Sequence, residues 1–174
     1  MDPELKAAVE GAYRVFARYG LGGRIDVDQG IDGVGPLEER LLVLTPLREI
    51  PAELLATYTD SPRAWNDGKV ADDFRALLPR YFELIADGVF PTTRRKEETL
   101  CRLAEAQYRT KWPDDEVRSI DCFFVTRFKI IAEVGDADEI AFFLALVQAA
   151  GGEVASLASP VEASPVVSQK ERSE

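Results

Sequence analysis

Apolar side chains recur along this chain with the period of an α-helix, about 3.6 residues. Leu5, Ala8, Val9, Ala12, Val15, Phe16 and Tyr19 form one stripe, which predicts an amphipathic helix over residues 3 to 19. Pro3 suits its first turn and Gly20 its stop. Residues 20 to 36 are glycine-rich and predict a long loop. A second helix starts at Leu37 and carries Leu41, Leu42 and Leu44, until Thr45-Pro46 interrupts it. Pro51 opens a short helix to about Tyr58, followed by a turn-rich connector over 59 to 68. The next stripe is Phe74, Leu77, Leu78, Tyr81, Phe82 and Ile85, with Pro79 inside it. A proline in a helix interior removes a backbone donor and costs about 3 kcal/mol. The stripe keeps its phase across Pro79, so a kinked helix or two collinear ones are expected.

Leu100, Leu103, Ala104 and Tyr108 predict one helix from about Arg94 to Thr110. Trp112-Pro113 begins the next, with Asp114, Asp115 and Glu116 in its first turn, where the helix dipole favours negative charge. Its buried face is Ile120, Phe123, Phe124, Phe128 and Ile131. Asp136 with Glu139 resembles a capping box and opens a helix to Ala150, ended by Gly151-Gly152. That helix is apolar nearly all round and is expected to be central. No alternating strand pairs joined by hairpin turns occur. The expected fold is all-α: a single-domain bundle or stack of helical hairpins with about six to eight helices over residues 1 to 157. Residues 158 to 174 turn to Ser, Pro, Val and Glu, with Ala-Ser-Pro-Val at 158 to 161 and again at 163 to 166, which predicts a disordered tail.

Charge narrows the partners. The 174 residues carry a net charge of -10, with 31 acidic against 21 basic side chains. Nucleic acid is not expected, because phosphate binding needs a positive surface. The dense basic run Arg94-Arg95-Lys96 is followed at once by Glu97-Glu98. A basic protein partner suits an acidic surface better. No apolar stretch follows a basic start and none spans a bilayer, so a cytoplasmic, membrane-free chain is expected. Cys101 and Cys122 lie on apolar stretches and read as reduced core thiols.

Histidine is absent. That removes Ser-His-Asp, Cys-His and HExxH chemistry, and with it the usual general base near neutral pH. Carboxylate, Lys, Tyr or metal-assisted catalysis stays open. Walker, dinucleotide and nucleophile-elbow motifs are missing, and no cofactor is implied. Asp28, Asp32, Gly33 and Glu39 fall at the first, fifth, sixth and twelfth places of an EF-hand loop, which makes Asp28, Asp32 and Glu39 metal candidates. Gly30, Gly35 and Pro36 stand at the third, eighth and ninth places, so ligand positions are lost and a polar surface loop is the competing reading. Trp65 and Trp112 flank turns, where tryptophans pack over a core edge or anchor partners. Arg80 pairs with Glu83 at i, i+3, or takes a buried bidentate role.

Thr45-Pro46-Leu47-Arg48, Tyr58, Trp65, Asp73-Phe74 and Leu78-Pro79-Arg80-Tyr81-Phe82-Glu83-Leu84, with Trp112-Pro113 to Glu116 and Phe123-Phe124 beyond, resemble the core of a set of uncharacterised bacterial helical proteins. The resemblance covers roughly residues 40 to 130. It implies a bacterial, helical protein and no activity. Members of that set carry a Cys-Pro-Cys-Cys-like element before the core; this chain has none, so no metal or redox role transfers. The functional expectation is a non-enzymatic helical interaction module, with an immunity- or antitoxin-like protein as its sharper form. The alternative is a carboxylate- or metal-dependent enzyme.

Overall fold

The computed structural model describes residues 1–23, 25, 34–61 and 68–157. Among them the chain is all-α, without a strand. Six helices of nine or more residues form the body: α1 (Pro3–Phe16), α2 (Pro36–Leu44), α3 (Ala52–Asp60), α4 (Gly68–Ala86), α7 (Asp114–Val134) and α8 (Ala137–Ala149). Three single-turn helices, α5 (Cys101–Glu105), α6 (Tyr108–Lys111) and α9 (Val154–Leu157), and two 3-10 turns at Leu47–Glu49 and Lys96–Glu98 complete it.

Local signals explain most boundaries. Asp2 caps α1 by accepting from the backbone N–H of Glu4 and Leu5. Asp136 accepts from the N–H of Glu139 at 2.8 Å, the first half of a capping box, while the Glu139 carboxylate turns to Arg127. Helix α4 continues through Pro79, as the unbroken stripe requires. Gly151 ends the α8 segment at φ +76, and a Cβ there would lie 3.2 Å from Ala104 Cα, so both backbone angle and close approach demand glycine.

Three expectations are corrected. The helix expected over Arg94 to Thr110 is broken into the 3-10 turn, α5 and α6, with Gln107 left-handed at φ 52. On a straight helix Tyr108 would point about 140° away from the face of Leu100, Leu103 and Ala106. The left-handed residue swings Tyr108 inward, and it ends 1% exposed. Helix α8 is not central: Phe143, Leu146 and Val147 are buried, but Ala141 and Ala145 face solvent. Helix α1 also ends at Phe16, earlier than expected, so that Tyr19 folds back toward α7.

The core is aromatic. Phe82 of α4 stacks on Phe123 of α7 with centroids 4.1 Å apart and rings 7° from parallel. Phe124 meets Phe82 and Phe143 edge-on. Helix α1 lies against α4 and α7 through Leu5, Val9, Ala12 and Phe16. A buried arginine joins the other side. Arg102 donates to the carbonyls of Tyr58, Thr59 (2.5 Å) and Ser61 (3.2 Å), which meets the C-terminal carbonyls that α3 leaves open. Truncating the stacked ring by Phe82→Ala is expected to cost about 3–5 kcal/mol in urea unfolding, against a change within about 0.5 kcal/mol for the exposed Glu105→Gln.

Candidate functional site

Charged side chains converge at two places along α1. At its C-terminal end Glu116 of α7 is fully buried. Its carboxylate receives Arg18 at 2.5 Å, the Tyr19 hydroxyl at 2.6 Å and Arg75 Nε at 3.0 Å. Arg18 also donates to Asp115 at 3.0 Å, and Arg75 to Asp72 at 2.8 Å. The Arg75 guanidinium lies 4.3 Å from the Trp112 ring centroid. Burial and the bond to Glu116 push the Tyr19 hydroxyl up, and Arg18 holds the Asp115 carboxyl below the usual range. Glu116 stands at i of the i, i+4, i+7 series with Ile120 and Phe123, a phase masked by its place in an acidic first turn that the helix dipole already explains.

Midway along α1, Glu83 receives Arg80 at 2.7 Å, the Tyr13 hydroxyl at 2.8 Å and Arg48 at 3.2 Å. Arg48 also reaches Glu10 at 2.7 Å and lies 3.7 Å over the Tyr13 ring. Arg80 Nε donates to the Ile50 carbonyl at 3.0 Å, so Arg80 joins the local pair to a tertiary contact. Burial raises the Glu83 carboxyl, but donation from Tyr13 and Arg80 and the nearby arginine charges outweigh it and hold the group below its ordinary value. Burial and the same contact push Tyr13 well up. Both acids in these clusters accept from arginine and tyrosine, and the tyrosines keep their protons. This is the chemistry of helix fastening rather than proton transfer near neutral pH. The Asp121 carboxyl is pushed up, by burial that outweighs its bond from Arg109 at 2.7 Å.

The sequence candidates fall apart in space. Trp112 is 6% exposed and packed between Phe16, Tyr108 and Arg75, so its ring serves the core. Glu39 accepts from the Ile25 N–H at 3.0 Å, tying the preceding segment to α2. Asp28, Asp32 and Trp65 lie outside the described residues, as does the 158 to 174 tail. Among the described residues no group of three His, Cys, Asp or Glu is placed to hold a metal ion. Nor is any described helix long and apolar enough to cross a membrane.

Two surface features were missed by the sequence reading. Leu37, Leu41 and Leu44 are 65%, 45% and 67% exposed and share one face of α2, opposite the buried Leu42. The second is a groove of about 560 Å³ between α1 and α7, lined by Ala7, Ala8, Gly11, Arg14, Arg118 and Cys122 among others. Gly11 sits inside α1, where glycine costs roughly 0.5–1 kcal/mol relative to alanine. A Cβ there would meet only the tip of Arg14, at 3.9 Å, so packing does not demand the glycine. The chain matches no protein-family model, and no curated protein or solved structure is similar to it.

Two predictions follow from the clusters. Glu116→Ala leaves the half of Arg75 that faces it uncompensated and is expected to cost about 3–5 kcal/mol in urea unfolding. Glu83 is held below its unfolded-state value, so its contribution is present above about pH 4.3 and is lost as pH falls through the folded value. Stability measured between about pH 7 and pH 3 is therefore expected to fall less steeply in Glu83→Gln than in the native chain.

Proposed function

We propose that this chain is a non-enzymatic helical interaction module of the bacterial cytoplasm that binds a basic protein partner through the leucine face of α2. The observation that carries the reading is the stripe of Leu37, Leu41 and Leu44, left open to solvent in a chain that buries its other long apolar stripes. Single exposed leucines are ordinary, whereas three in register on one helix make a contiguous patch of the kind that marks interaction surfaces. Arg40 lies between them in sequence, and the exposed Glu49 and Glu53 follow in the next two turns of chain. With a net charge of -10, long-range steering favours a cationic partner, and the leucines supply the short-range contact. The pairing of Glu116 and Glu83 with arginines supports the non-enzymatic half of the reading, since both acids serve as fasteners. An immunity- or antitoxin-like role, neutralising a basic toxin, is the sharper form of the same proposal.

The test is cross-linking in the native host, purification of the captured protein, and titration against it. A basic protein is expected whose Kd weakens about thirtyfold or more in Leu41→Asp/Leu44→Asp and whose affinity falls with salt. Both positions are exposed, so circular dichroism and Tm should be unchanged. Equal binding by the double variant, or a captured partner that is acidic, overturns the proposal.

A further inference from the structure

We propose that the groove between α1 and α7 is a binding site for a free medium-chain carboxylate, independent of the α2 face. Helices α1 and α7 run antiparallel along it, since Arg18 at the end of α1 meets Asp115 at the start of α7. Arg14 and Arg118 therefore lie toward one end, Gly11, Ala8 and Cys122 in the middle, and Glu4 at the other. Neither Arg14 nor Arg118 makes an ion pair, side-chain hydrogen bond or ring contact with any described residue, although eight other described arginines do. In a chain so rich in acids, two unengaged guanidinium groups on the same groove are a local anion-binding head. The planar fork of arginine matches a carboxylate, and two of them hold both oxygens.

The rest of the groove is an apolar trough. Ala7, Ala8 and Val15 offer only aliphatic surface, and Gly11 removes the side chain that would otherwise narrow the floor. From Arg14 to Glu4 is ten residues of helix, roughly 15 Å, the span of an extended decanoate or dodecanoate chain. The volume of about 560 Å³ lies within the size range of small-molecule sites. Asp115, at the head end, is paired with Arg18, which lessens its repulsion of the ligand. Glu4 is exposed and lies at the chain's methyl end, away from the arginines.

Cys122 reports occupancy directly, because its thiol is exposed on the trough, and Cys101 lies elsewhere on α5 as an internal reference. The experiment follows iodoacetamide alkylation of each thiol by peptide mass spectrometry, with dodecanoate added below its micelle concentration. Dodecanoate is expected to slow alkylation of Cys122 about tenfold while Cys101 reacts at its original rate. Arg14→Gln/Arg118→Gln is expected to need about tenfold more dodecanoate for the same protection. Gly11→Leu is expected to lose protection, with circular dichroism confirming the helical content of both variants. An unchanged Cys122 rate overturns the proposal, as does equal protection by dodecyltrimethylammonium or protection by anionic vesicles alone.

Discussion

A carboxylate removed from water must be met by donors, and in this protein that requirement fixes how three helices come together. Glu116 is fully buried at the start of α7. Its oxygens are met by Tyr19 and Arg18 from just past the end of α1 and by Arg75 from α4. None of these partners is near it in sequence, so the charge is satisfied only when α1, α4 and α7 are all in place. The aromatic stack of Phe82 on Phe123 supplies non-directional attraction, but a stack tolerates small sliding. Three hydrogen bonds converging on one carboxylate do not, and they set the register in which the stack forms.

Where one stripe served one helix, the fold was legible in the sequence. The apolar phase marked α1, α4 and α7, and Pro3, Asp136 and Gly151 marked ends through first-turn preference, capping and backbone angle. The segment from 94 to 110 was misread because its apolar residues belong to two directions at once. Leu100 and Leu103 face one way, Tyr108 another, and the chain reconciles them with a left-handed Gln107 that no local signal announces. The position of α8 was misjudged for a different reason. Its alanines are apolar yet small, and Ala141 and Ala145 lose little by facing water.

Much less of the candidate site was legible. Glu83 and Arg80 were visible as an i, i+3 pair, but Arg48 and Tyr13, which complete their cluster, come from other elements. Glu116 was hidden in an acidic first turn whose charges capping already explained, even though its phase with Ile120 and Phe123 points inward. The groove and the leucine face are properties of what does not pack, and periodicity records only what does. Gly11 is the one residue whose oddity was written in the sequence, a glycine in the middle of an amphipathic stripe.

The two sides of the molecule are fastened by different kinds of polar contact, and acid acts on them unequally. The α1 side is held by carboxylates, Glu83 and Asp115, whose low folded-state values make them gain protons only at some cost to the fold. The α3 side is held by Arg102 on backbone carbonyls, and neither partner titrates in that range. Acidification therefore weakens the polar fastening of α1 through Glu83 and Asp115, while the grip of Arg102 on the end of α3 keeps both its partners unchanged.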